Sequence, residues 1–206
     1  MAYIDVVTPE RATGRLAEIY QSITASRGKI ASVHTIQSLN PPTIPAHMEL
    51  YRTVMFSHSP LSRAEREMIA VVVSRSNECN YCVAHHGEAL LHFWKDQERL
   101  DKLAADVSDG RFDSAGADSA DVGSGAAELS PREQGLCRFA RITTVNPGAG
   151  EDGSAVELLR SAIPEITDRE ILDATLAVGY FNFVNRIVLT LGVELEDNPG
   201  GYKYDA

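Results

Sequence analysis

Apolar residues recur along this chain with helical spacing, and polar capping patterns stand where the helical stretches begin. Thr8-Pro9-Glu10 places a capping residue before a proline suited to a first helical turn. Leu16, Ile19, Tyr20 and Ile23 follow on one face, which predicts a helix opening near Pro9. Pro41, Pro42 and Pro45 interrupt any helix across them, and residues 46–56 read as the next one. Ser62-Arg63-Ala64-Glu65 is a capping box, in which serine and glutamate satisfy each other's free backbone donors. Ser130-Pro131-Arg132-Glu133 and Thr167-Asp168-Arg169-Glu170 repeat the device. Period-two alternation bounded by turn dipeptides is not convincing anywhere, so the expected fold class is all-α. The matching starts Leu61-Ser62 and Leu129-Ser130 hint at an internal duplication of helical units.

Composition narrows the picture. With 206 residues, 44% of them hydrophobic and 23% charged, the chain has material for one sizeable core or two small helical halves. It is read as one domain over residues 1–206. Fifteen of the 18 residues from Ser108 to Gly125 are Ser, Gly, Asp or Ala, which predicts a flexible surface loop or linker. Pro147 to Gly153 reads as a shorter loop of the same kind. Nineteen basic against 29 acidic side chains leave a net charge of -10, a field that disfavours nucleic acid and anionic membrane surfaces as partners. The N-terminal residues lack a cationic-then-apolar pattern. The apolar stretch Ile171 to Val193 is interrupted by Asp173, Asn182, Asn185 and Arg186, so no membrane span is expected and the location is read as cytoplasmic.

Three cysteines, Cys79, Cys82 and Cys137, are an odd count for a disulfide framework. Two of them stand in Asn77-Glu78-Cys79-Asn80-Tyr81-Cys82-Val83-Ala84-His85-His86, where Asn77 is a candidate cap for a helix running through Trp94. On such a helix Cys79, Cys82 and His86 fall within roughly a 60° sector, continued by Ala89, Leu90 and Phe93, while Tyr81 and Glu88 point away. Cys79 sits in the first turn, where free backbone N–H groups favour a thiolate, and Cys82 sits one turn before His86. These two arguments favour different cysteines. Glu67 lies in the preceding helix among Ala64, Ala70, Val71 and Ser74, where partial burial is expected to raise its pKa to suit proton transfer. A chain reversal near Asn77 would bring Glu67 level with His86.

Blander readings stand beside these: Glu67 as a surface residue, His86 as a core histidine and Cys137 as a small buried hydrophobe. His34, His47, His58, His85 and His92 are read as structural or surface residues. Haem attachment needs a histidine directly after the second cysteine, and that position is Val83. A thioredoxin-like site needs its CxxC between a strand and a helix, and here an apolar helix precedes it. Structural zinc would need a fourth ligand from Cys137, His58 or Glu67. No glycine-rich nucleotide motif is present, so no cofactor is expected.

Glu67, eleven intervening residues, Cys79-x-Tyr81-Cys82, then three residues and His86 resemble the signature of the alkylhydroperoxidase D-like group of the carboxymuconolactone decarboxylase superfamily. Glu170-Ile171-Leu172-Asp173-Ala174, Gly179-Tyr180-Phe181-Asn182-Phe183-Val184-Asn185-Arg186 and Leu191-Gly192-Val193-Glu194-Leu195 resemble the closing helix of its peroxidase-related members. The resemblance spans about Val33 to Glu196. It implies an AhpD-like helical bundle, a homo-oligomer (trimer or hexamer), a small hydroperoxide substrate and an external thiol reductant. It also implies a cycle in which Cys82 attacks the peroxide, Cys79 resolves the sulfenic acid to a disulfide, and His86 with Glu67 relays the proton. Tyr81 stands where well-studied peroxidases of the group carry histidine, and the 108–125 segment is longer and more polar than theirs. The alternatives are a CxxC disulfide reductase without peroxidase activity, a zinc-stabilised helical interaction protein, and a decarboxylase-like or ligand-binding relative with vestigial cysteines.

Overall fold

The computed structural model describes residues 2–113 and 127–199. Along the chain run α1 (Gly14–Arg27), α2 (Ser32–Thr35), α3 (Thr43–Phe56), α4 (Arg63–Ser76), α5 (Asn80–Trp94), α6 (Gln97–Ser108), α7 (Pro131–Val145), α8 (Ser154–Ala162) and α9 (Asp168–Leu191). No strand occurs among the described residues, so the fold is all-α.

All three capping boxes form. Ser62, Ser130 and Thr167 each accept from the third helical N–H, and Glu65, Glu133 and Glu170 each return a bond to the cap. Arg132 then joins the three helix starts. Its Nε donates to Glu65 Oε1 and its Nη2 to Glu170 Oε1, each at 2.6 Å. The N-termini of α4, α7 and α9 therefore meet around one guanidinium, with the acidic residues at the ends of the helix dipoles that favour them.

α4 is the central element. Every side chain from Met68 to Val73 is fully buried, because α3, α5, α6, α7 and α9 pack around it. A smaller cluster joins Leu16, Ile19, Tyr20 and Ile23 of α1 to Ile44 and Met48 of α3. α9 is long and apolar enough to cross a membrane by length and composition alone, with a mean hydropathy of 1.3. Here it packs against α3, α4 and α7. Its Asp173 pairs with Arg169, and its Asn182, Asn185 and Arg186 bond Asn77.

Several local expectations are corrected. α1 begins at Gly14, not Pro9, because Gly14 takes φ +55 and breaks continuity with the turn before it. α3 begins at Thr43 and includes Pro45, which occupies a first-turn position whose N–H has no helical partner to lose. Asn77 ends α4 instead of capping α5. Glu78 turns the chain at φ +58, and Cys79 becomes the residue preceding α5. Residues 109–113 of the presumed loop are tied down: Phe112 is buried, Arg111 pairs with Asp106, and Asp113 pairs with Arg141. Residues 114–125 of that expected loop lie outside the described residues. Pro147–Gly150 form a 3-10 turn, so the second expected loop is partly ordered.

Gly192 ends α9 at φ +65, with the Tyr3 ring against its Cα, so a Cβ there would lie 2.9 Å from Tyr3 Cζ. This turn sends residues 193–196 back toward α2 and α5, where Glu196 is used.

Replacing Arg132 by Ala leaves Glu65 and Glu170 without their shared cation. The expected loss is about 1–2 kcal/mol, or roughly 2–8 °C in Tm by thermal unfolding. An unchanged Tm would mean that the caps hold the three helix starts without it.

Candidate active site

Antiparallel packing of α4 and α5 brings Glu67 to His86: Glu67 Oε2 lies 2.7 Å from His86 Nδ1. The other carboxylate oxygen accepts from Arg63, one turn earlier on α4, with Nε at 2.9 Å. Glu67 is wholly buried. Burial pushes its pKa up, but His86 and Arg63 outweigh it and the net shift is downward. The expected raised pKa is thus corrected: Glu67 is held as a carboxylate. Arg63 was legible as an i, i+4 partner of Glu67, inside the very capping box that opens α4.

His86 is packed against Phe181, ring centroids 4.5 Å apart, and its Nδ1 is taken by Glu67. Nε2 is therefore the nitrogen left for the cavity that His86 lines with Cys82. This cavity, about 60 Å³ of water-sized space, lies between α5, α3, α9 and the segment around α2. Cys82 is 2% exposed and borders it, whereas Cys79 is fully buried and does not.

The two thiols are free, and each acts on the other's acidity. The Cys82 thiol holds Cys79 below its ordinary range, against burial and with help from the Cys82 backbone N–H. Cys82 is pushed up by Cys79 and by burial, although Asn185 and Ser74 hydrogen-bond its sulfur and oppose the rise. Acidity thus favours Cys79 and access favours Cys82. Asn185 is fully buried, accepting from Asn77 Nδ2 at 2.9 Å and donating to Ser74 Oγ at 3.2 Å, so it is fixed where it meets Cys82. Cys137 is buried in α7, away from this cavity, and burial raises its pKa.

Sequence reasoning missed the rest of the cavity wall. Tyr81 does not point away: it is buried, its hydroxyl accepting from Val33 N at 3.2 Å and donating to Glu196 Oε1 at 3.0 Å. His85, read as structural or surface, also lines the cavity and bonds Glu196 Oε2 through Nε2 at 2.8 Å. Burial raises the Glu196 pKa, but hydrogen bonds from His85 and the Ser32 N–H outweigh it, and it settles at about 2. His34 and His47 are buried on the same wall and held neutral, burial lowering them to about 3 and about 4. None of these could be found from α5 alone, because α2 and residues 193–196 reach it only through the tertiary fold. His58 and His92 do not line the cavity. Among the described residues no group of three or more His, Cys, Asp or Glu is placed to hold a metal ion, so structural zinc finds no support.

Residues 42–119, from α3 across both cysteines, match the model of the Carboxymuconolactone decarboxylase family. The fold is that of a solved AhpD-core, peroxidase-related protein from Ralstonia eutropha JMP134, with a TM-score of 0.73 and 22% identity over 95% of this chain and 93% of that one. A peroxidase-related protein from Silicibacter sp. TM1040 is 26% identical over 94% of this chain and 88% of its own, with a TM-score of 0.69. The debrominase Bmp8, solved with 2,3,4-tribromopyrrole, shares the fold at 14% identity and a TM-score of 0.67, over 97% of this chain and 96% of its own. No curated protein matches the chain. The family model thus matches the segment that carries Glu67, both cysteines and His86, and the solved structures share the fold.

The buried groups set the response to acid. His34 and His47 take up protons near pH 6.5 in the unfolded chain but only near 3 and 4 in the fold, so stability falls as pH drops below 6.5. Glu67 and Glu196 have depressed folded pKa values. Their contribution is complete above about 4.5 and is lost as pH falls further, for Glu196 down to about 2. Urea unfolding should show a decline from pH 6.5 to 4 that is shallower in His34→Leu. An identical slope in that variant would assign the decline to other groups.

Proposed function

We propose that this protein is a thiol-dependent peroxidase that reduces small hydroperoxides through a Cys79/Cys82 disulfide cycle. The observation that carries the reading is the line from buried Glu67 through His86 to the cavity wall where Cys82 stands, with Cys79 fully buried directly before α5. Cys82 attacks because it is the sulfur a substrate can reach. Its thiolate forms the S–O bond as the O–O bond breaks, leaving an alcohol and a sulfenic acid. Cys79 then displaces water from that sulfenic acid to close the disulfide. Glu67 keeps His86 oriented with Nδ1 occupied, so Nε2 can take the thiol proton and return it. An external thiol re-reduces the disulfide.

The peroxidase-related relatives support this reading through a shared fold. We further propose that the chain forms a homo-oligomer, for which the exposed Leu172, Leu176 and Phe183 on one face of α9 offer apolar surface.

The test is intact-mass and peptide mapping of the reduced protein before and after one equivalent of tert-butyl hydroperoxide. A new Cys79–Cys82 disulfide is expected, absent in Cys82→Ser. His86→Ala should slow its formation by about 10²-fold or more while leaving the fold intact by circular dichroism. Thiols that survive the peroxide would overturn the reading, and a sulfenic acid formed on Cys79 in Cys82→Ser but not on Cys82 in Cys79→Ser would reverse the roles of the two sulfurs.

A further inference from the structure

One chain of hydrogen bonds on the cavity wall is used by nothing above. It begins at Gln37, whose Nε2 donates to the Val33 carbonyl at 2.8 Å and also lies 2.8 Å from His47 Nδ1. A carbonyl oxygen only accepts, so the Gln37 atom facing it must be the amide nitrogen. The same nitrogen must then donate its second hydrogen to His47. His47 Nδ1 is therefore an acceptor, and in the neutral ring the proton sits on Nε2. That nitrogen lies 2.8 Å from the Tyr180 hydroxyl, which must accept from it. The polarity is fixed from end to end: Gln37 to His47 to Tyr180.

A hydroxyl that accepts from His47 still has its own hydrogen to give. Tyr180 borders the same cavity as Cys82 and His86, within 5.8 Å ring to ring of Tyr51. A second observation marks this wall as built for a polar guest. His34 borders the cavity, is 4% exposed, and its Nδ1 has no hydrogen-bond partner among the described residues. A buried polar atom left unmet is costly, and a bound hydroxyl or hydroperoxyl group would satisfy it.

We propose that Tyr180 is a catalytic residue: its hydroxyl, turned into the cavity by Gln37 and His47, protonates the leaving oxygen of the hydroperoxide as Cys82 attacks. The inference rests on the peroxidase reading and adds the acid to it. The Cys82 thiolate supplies the electron pair that forms the S–O bond, and the O–O bond breaks toward the alkyl side. The departing alkoxide takes the Tyr180 proton and leaves as an alcohol. The tyrosinate, still held by His47 Nε2–H, regains a proton from the one that Cys82 gave to His86. Gln37 and His47 are positioning residues, and the substrates favoured are those whose leaving oxygen is strongly basic, alkyl hydroperoxides above all.

The experiment compares three reagents on the reduced full chain and on Tyr180→Phe. These are tert-butyl hydroperoxide, whose leaving oxygen needs a proton, peracetic acid, whose acetate leaving group does not, and iodoacetamide, which reports thiolate access alone. Tyr180→Phe is expected to slow tert-butyl hydroperoxide by about 10²-fold and to change the other two rates by less than about threefold. Equal losses with all three reagents would overturn the proposal, since Tyr180 would then serve the thiol or the fold. An unchanged rate with tert-butyl hydroperoxide would overturn it too, while leaving the peroxidase reading in place. A wild-type chain that iodoacetamide alkylates but tert-butyl hydroperoxide does not oxidise would overturn both. If Tyr180→Phe does not fold, the unsubstituted chain decides over a series of hydroperoxides of graded leaving-group acidity. A rate nearly independent of leaving group supports proton donation, and the steep dependence of a free small thiol overturns it.

Discussion

A carboxylate with no exposure to water sits in the central helix, and much of the architecture follows from keeping it charged. Glu67 on α4 is wholly buried, and an unpaired charge there would cost several kcal/mol. Arg63 comes from its own helix and His86 from the next. The first is local and free of topology. The second requires α5 to return antiparallel to α4 in one register, which Glu78 allows by turning at φ +58 directly before Cys79. The reversal that satisfies Glu67 is thus the same one that sets Cys79 at the start of α5 and Cys82 one turn before His86. Packing, charge and the disposition of the thiols are not separate achievements of the fold.

Around this pair the cavity takes its character from what closes it. α5 supplies Cys82, His85, His86 and Tyr81, α3 supplies His47 and Tyr51, and α9 supplies Tyr180. The C-terminal segment, turned back at Gly192, adds Glu196 beneath His85 and Tyr81. The result is two carboxylate–imidazole pairs from consecutive residues of one helix. They differ in a way that matters. Glu67 is wholly buried with a cation on its far side, whereas the Glu196 side chain is 23% exposed and tied to a backbone N–H. The inner pair is insulated from solvent and the outer one is in contact with it, so only the inner pair keeps its electrostatic strength at ordinary salt.

How far the sequence foretold this depends on where the information lies. Capping boxes are local, and all three formed as written, since serine or threonine with glutamate three residues on needs no tertiary partner. The approach of Glu67 to His86 was legible from symmetric spacing about a turn, even though the turn itself was misassigned: Asn77 ends one helix and bonds α9 instead of opening the next. What could not be read were faces covered from a distance. Tyr81 looked outward on a helical wheel, yet α2 and Glu196 bury it, from residues 48 and 115 positions away. His47 and Tyr180 are 133 residues apart in sequence and 2.8 Å apart in space. The sign of the Glu67 shift is opposite to what burial alone would give, because His86 and Arg63, the latter four residues upstream, outweigh it.

The two cysteines divide acidity and access between them, and that division is coherent for a two-step cycle. A sulfur at the cavity must be reachable, and Cys82 is, but Cys79 beside it and its own burial raise its pKa. A sulfur behind it can be stabilised as an anion by the backbone at the start of α5 and by its neighbour's thiol, and Cys79 is. At Cys82, Asn185 and Ser74 oppose the upward shift, and in the proposed cycle His86 takes the thiol proton. After attack the demands invert: Cys79 must now supply the nucleophile that displaces water from Cys82, and it is the more acidic thiol of the pair. Under the proposed cycle each sulfur therefore has the environment its own step needs.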